Sequence, residues 1–394
     1  METAFEPPLR MVHKANRSEI MDFQFFSADD HVDLRFLPPD LWEKRVPSRF
    51  RERAPRVVDT PQGQYWMANG EQFSSVPTSH QAETIGNKFT PVDHVPGRWR
   101  PTTPELRLAD MDLDGVESQV LYGGLIVGFQ QKDPELNGVC MRAYNEWISE
   151  FCQHSPKRFI GLGFLPVHDA SAAVAELYRC AELKLRGVQF QPFDAYQPVW
   201  HPVWEPLWAA AAETKISVSF HTGAGQWTMP LHDTHLPGVP KNRGAYASGA
   251  TVLPIQLDEV LTAIVLSGAL MRHPALHIVL GESSIGWIPV VLDRMDRKYE
   301  ECSGGRHPRY DAVLKEIPSY YWNRQGHATF QNDPVGIHLL KFLGAHTVMW
   351  GSDYPHVDGV WPHSHETAEE NFKGVDPAIA KMILRDNARQ LYAI

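Results

Sequence analysis

The chain has 394 residues, 43% hydrophobic and 21% charged, which supplies a large core and excludes wholesale disorder. Its 37 Lys and Arg against 47 Asp and Glu give a net charge of −10, without the basic footprint that nucleic acid requires. No apolar run is read as reaching the ~18 residues of a membrane span, and residues 1–21 lack the apolar segment of a secretory leader.

A soluble, cytoplasmic protein acting on a small molecule is therefore expected, with no membrane and no nucleic-acid partner. Apolar runs at 23–27, 118–122, 159–165, 187–191, 216–220, 277–280, 328–330 and 347–350 read as buried parallel strands. Apolar residues at helical spacing fill 137–153, 170–185, 203–214, 257–270, 287–300, 334–343 and 377–392. Eight strands separated by helices predict an α/β fold, a (β/α)₈ barrel spanning 1–394 as a single domain. Residues 36–107 lack a steady period and are rich in Pro, Gly, Arg and Gln. They are expected to form an insertion after strand one that covers the active-site face. Two shorter irregular stretches follow at 223–248 and 303–325. The four cysteines, Cys140, Cys152, Cys180 and Cys302, form no CxxC pair and read as reduced fillers. Trp200, Trp204 and Trp208 keep helical spacing but are interrupted by Pro202 and Pro206, so packing is expected of them.

Four groups of acids and histidines fall at or after the ends of these strands. Asp29, Asp30 and His31 follow the first, His221 ends the fifth, Glu282 follows the sixth, and Asp353 and His356 follow the eighth. A barrel brings such strand ends to one face, where active sites are built. Imidazole and carboxylate together suit Zn²⁺, Mn²⁺ or Fe²⁺. Asp29 and His31 are two apart, so an extended strand points both the same way. Taken singly, Asp29 and Asp30 would read as a turn, His221 as a core histidine and Asp353 as part of a turn. Glu282 reads as a ligand, a general base or a buried acid paired with Arg. His356 reads as a substrate contact, a ligand to a second metal or a loop cap. His80 and His94 lie in the insertion and, with Trp287, are candidates for substrate contact.

The segments SADDHVDLRFLPPDLW, LADMDLDGVESQVLY, AYNEWISEFC, SVSFHTG, SGALMRHPALHIVLGESSIGWIPVVLDRMD and VMWGSDYPHVDG resemble the amidohydrolase superfamily. The resemblance is to the amidohydrolase-related branch that includes aminocarboxymuconate-semialdehyde decarboxylase. It implies that Asp29, His31, His221 and Asp353 are metal ligands, with Glu282 a possible fifth, and that the chain pairs as a homodimer. Two departures bear on chemistry. The fourth strand, GVQFQPF, has no Lys to carboxylate, which disfavours the superfamily's standard two-metal site. Glu282 stands where decarboxylases of the branch carry a His, and Ile285 where they carry a Glu.

Three reactions follow as expectations. The first is hydrolysis of an amide, lactone or related C–N or C–O bond by metal-activated water, with Glu282 or Asp353 taking the proton. The second is non-oxidative decarboxylation of an aromatic or unsaturated carboxylic acid. The third is a dinuclear Fe or Mn/Fe oxygenase with Glu282 as bridge. One ion per chain is expected for the first two reactions and two for the third; a metal-free scaffold without catalysis is the remaining reading.

Overall fold

The computed structural model describes residues 23–33, 36–75, 100–123, 133–223, 244–303, 314–356 and 359–394. Eight of its strands form one parallel sheet, hydrogen-bonded in the order β1 (Phe25–His31), β5 (Val116–Tyr122), β6 (Phe159–Phe164), β7 (Gly187–Gln189), β8 (Ser217–His221), β9 (Ile278–Gly281), β10 (Gly326–Phe330) and β11 (Val348–Trp350). All eight coincide with the predicted strands to within a few residues. Closure falls between the β11 exit and β1. The Asp353 N–H donates to the Asp29 carbonyl (2.8 Å), and the His31 N–H donates to the Tyr354 carbonyl (2.7 Å). The barrel interior is filled by Phe26, Ala28, Val120, Ile160, Leu162, Val279 and Met349, with Tyr392 and Ala388 of the C-terminal helical segment packed against them. The much larger apolar layer lies between the strands and the surrounding helices.

The strand β1 runs four residues beyond its predicted end, so Asp29, Asp30 and His31 lie within it. Its pairing with β5 is irregular: Ser27 faces Gln119 and Asp30 faces Leu121, one residue more on β1 than on its partner. That extra residue is a bulge, which resets the side-chain alternation. Before it, Phe26 and Ala28 enter the interior, while Phe25 packs outward on Trp350 and His365. After it, Asp29 and His31 turn to the histidines at the C-terminal mouth.

The insertion has structure of its own. A short helix, Leu41–Arg45, precedes a three-stranded antiparallel sheet of β2 (Arg56–Thr60), β3 (Gly63–Ala68) and β4 (Glu71–Ser75). Trp66 of β3 meets Trp42 edge to face with centroids 5.6 Å apart, anchoring the sheet to the core. His80 and His94 lie outside the described residues. Part of the irregular 303–325 stretch is the helix Pro318–Gln325. One expectation about apolar runs is corrected: Ser248–Leu266 has the length and mean hydropathy (1.5) of a span. It is broken here into Gly244–Val252, a 3₁₀ turn at Leu253–Ile255 and Asp258–Leu266, with Val260, Leu261, Ile264 and Val265 in the core. All four cysteines are free, three of them buried. Trp204 and Trp208 pack on Phe190, while Trp200 is 58% exposed.

At the opposite end of the barrel, His277 Nδ1 lies 3.1 Å from His327 Nε2. One ring must donate and the other accept, so the accepting imidazole must be neutral. Burial, with His277 and His346 nearby, pushes His327 down to about 3. An unfolded chain protonates this group near pH 6.5, so it binds a proton that the folded state refuses. Stability is thus lost as pH falls below 6.5. Urea unfolding of the wild type and His327→Asn is expected to show the wild type losing roughly 1–2 kcal/mol more between pH 6.5 and 4.5. Parallel pH profiles would refute this.

Candidate metal centre

Two strands, β1 and β8, and the two loops that follow β9 and β11 bring six side chains together at the C-terminal mouth. Two sets of donors, each with ligand atoms within 4.8 Å of one another, are Asp29, His31, His221 and His31, Glu282, Asp353, His356. His31 is common to both. Asp29 Oδ1 lies 3.3 Å from His221 Nε2 and 3.6 Å from His31 Nε2. His31 Nε2 lies 3.1 Å from Asp353 Oδ1, yet neither His31 ring nitrogen has an aligned hydrogen-bond partner among the described residues. Glu282 Oε2 is 3.6 Å from His221 Nε2.

The tautomer of His221 is set by its neighbour. The Nδ1–H donates to the Thr222 carbonyl (2.9 Å), so the neutral ring turns its Nε2 lone pair to Asp29 and His31. His356 differs, because both of its nitrogens face carboxylates: Nδ1 is 2.8 Å from Asp353 Oδ1 and Nε2 is 3.3 Å from Asp33 Oδ2. Burial opposes its charge, but Asp353 and Asp33 outweigh burial and hold it well above the usual histidine range. Its ring stacks on His31 at 4.1 Å.

Burial likewise lowers His221, but Asp29, Glu282 and the Thr222 carbonyl together push it up to about 9. Burial raises Asp29, and His221 and His31 overcome it. Asp353 is held far below the carboxylate range because His356 and His31 outweigh its burial. Glu282 goes the other way: burial, then the adjacent Asp353, push it up to about 8. Several carboxylates are thus packed against histidines in a dry setting, a charge distribution that a divalent cation neutralises by replacing protons. Asp353 Oδ2 is buried without a partner among the described residues, as are the His31 nitrogens. Oxygen and imidazole donors without thiolate suit Mn²⁺, Fe²⁺ or Zn²⁺. The residues present therefore fit a divalent cation.

The backbone is bent to present these groups. Glu282 (φ 48°) and Asp353 (φ 59°) both sit in the left-handed region. For a residue with a Cβ this costs about 1–3 kcal/mol and persists where the surroundings impose it. Asp30, grouped with Asp29 and His31 in the sequence, is directed to Tyr354 and Ser352 and is absent from both donor sets. Its Oδ1 accepts the Tyr354 N–H (2.9 Å) and the Ser352 hydroxyl, and burial raises it to about 7. Sequence reasoning missed its surroundings. Arg107, fully buried, donates to the His31 carbonyl (2.8 Å) and Gln119 Oε1 (2.7 Å) and lies over the Tyr354 ring. The Tyr354 hydroxyl donates to Asp110 Oδ2 (2.7 Å). Trp287 is partly buried, and its indole N–H is spent on the Ser283 carbonyl (2.6 Å).

A family model described as Amidohydrolase matches residues 87–394. Gamma-resorcylate decarboxylase of Rhizobium radiobacter is 26% identical over 306 residues, covering 74% of this chain and 87% of that protein. An amidohydrolase from Mycobacterium avium subsp. paratuberculosis K-10 has a similar structure (TM-score 0.73, 18% identity, 95% of this chain and 99% of the other). So does a dihydroxybenzoic acid decarboxylase from Polaromonas sp. JS666 with bound manganese (TM-score 0.62, 18% identity, 94% and 97%). These findings overturn hydrolysis as the leading expectation. The relatives and neighbours named for a reaction are decarboxylases.

Proposed function

This chain belongs to the amidohydrolase family, and from that membership we propose that it is a metal-dependent, non-oxidative decarboxylase of an aromatic or unsaturated carboxylic acid. The observation that carries the reading is the match to gamma-resorcylate decarboxylase across 87% of that protein's length. One divalent cation, manganese by analogy with the Polaromonas neighbour, would be held by Asp29, His31, His221 and Asp353. When bound, it supplies Lewis acidity that grips the substrate carboxylate and a neighbouring oxygen.

The chain's own residues must do the rest. Breaking the C–CO₂⁻ bond leaves an electron pair on carbon, and a proton must arrive there. Asp29 and Asp353 are each 1% exposed and enclosed by histidines, whereas the Glu282 side chain keeps 15% of its surface open. Of the three carboxyl groups Glu282 is the one that can meet a substrate. As a neutral acid it donates its proton to the carbanionic carbon, giving R–H and CO₂. His356 does not touch substrate in this scheme; lying between Asp353 and Asp33, it holds Asp353 in place.

Manganese-loaded protein, offered a panel of ortho-hydroxylated benzoates and unsaturated acids, is expected to release CO₂. Chelation should stop the release and added Mn²⁺ restore it. A panel of amides and lactones should remain intact. Absence of CO₂ from the whole acid panel, with metal bound, would overturn the reading.

A further inference from the structure

We propose that Thr329, on the seventh barrel strand β10, is a positioning residue that fixes how Asp29 presents its carboxylate to the cation. The inference rests on the metal-site reading above but not on decarboxylation. The Thr329 side chain is fully buried. Its hydroxyl lies 2.5 Å from Asp29 Oδ2 and 2.8 Å from the Glu282 backbone nitrogen. The Glu282 N–H also reaches Asp29 Oδ2, at 2.6 Å. A backbone N–H can only donate and a carboxylate oxygen only accept. The hydroxyl therefore accepts from Glu282 and donates its single proton to Asp29.

This arrangement assigns the two oxygens of Asp29 to separate tasks. Oδ2 is saturated by a hydroxyl and an amide on the side away from the histidines. Oδ1 is left 3.3 Å from His221 Nε2 and 3.6 Å from His31 Nε2, among the other donors. Asp29 is thereby oriented so that Oδ1, rather than Oδ2, would be offered to a cation. The same hydroxyl ties β1, β9 and β10 at the level where Glu282 leaves its strand in a left-handed turn. Groups that orient a metal ligand in this way change affinity by about 10- to 100-fold when lost.

Thr329→Val keeps the shape and removes the hydroxyl; Thr329→Ser keeps the hydroxyl and removes the methyl. Free Mn²⁺ titrated by electron paramagnetic resonance is expected to give a Kd raised about 10- to 100-fold for Thr329→Val. For Thr329→Ser it should stay within about threefold of the wild type. Where turnover can be followed, the Thr329→Val deficit should shrink as Mn²⁺ is raised, which a general loosening of the barrel would not produce. Native affinity in Thr329→Val would overturn the proposal. So would a more than tenfold loss in Thr329→Ser, even if Thr329→Val cannot be purified. Because the readout is metal binding, failure of the decarboxylation assay leaves this test intact.

Discussion

Replacing His221 with alanine is expected to abolish both metal retention and turnover, with kcat lowered about 10³-fold or more. His221 ends β8 with its Nδ1–H tied to Thr222, so its Nε2 has no other use than the centre. Without it, Asp29, His31 and Asp353 are left, and Asp29 loses the imidazole 3.3 Å from its Oδ1, so the cation is held far more weakly against water. Metal analysis after desalting should fall from about one ion per chain to a small fraction of that. The variant should fold, because His221 lies at the rim of the barrel and not among its apolar layers. Turnover above a tenth of the wild type, in protein shown to be metal-free, would refute the assignment.

The strands were legible because parallel strands covered on both faces tend to appear as uninterrupted apolar runs, and FIGLGF and IVLG do so. The end of β1 was not, because its last residues are Asp, Asp and His. A reading based on hydrophobicity stops at Ser27, while the barrel continues to His31 and buries three ionisable side chains in succession. The strand-end positions of His221, Glu282 and Asp353 were legible from barrel geometry, since strand ends of such a fold converge. The bulge that aims Asp29 inward was not, because it lies in the register with β5 and leaves no residue signature. Thr329 and Arg107 were missed for a related reason. A lone Thr in GHATF and a lone Arg in PELRLADMDLD gain meaning only through partners some 300 and 76 residues away. The reaction itself turned on the exchange of His for Glu282. Read as a missing part it argued against decarboxylation; in the structure it is an acid of altered pKa in the same place.

That exchange makes Glu282→Gln the second large effect. The amide keeps the side chain's size and its neutral charge but has no transferable proton. A general acid of this kind contributes about 10²- to 10⁴-fold, and kcat is expected to fall within that range while Mn²⁺ stays bound by Asp29, His31, His221 and Asp353. The pH profile carries the sharper signature. Burial and Asp353 push the Glu282 carboxyl up to about 8, so its proton is given up at higher pH than that of an ordinary carboxyl group. A nearby cation favours the carboxylate and draws that value down. Wild-type kcat should therefore decline along an alkaline limb centred no higher than about pH 8, and the limb should be missing from the residual activity of Glu282→Gln. Metal content measured on the same samples separates the two ways of failing. If the variant loses its ion together with its activity, Glu282 is a ligand and the proton must come from elsewhere. If it keeps both the ion and near-native turnover, the acid is not Glu282. Only an intact ion with a collapsed kcat and no alkaline limb fits a carboxylic acid poised over the substrate, and that is the outcome its partial exposure and raised pKa predict.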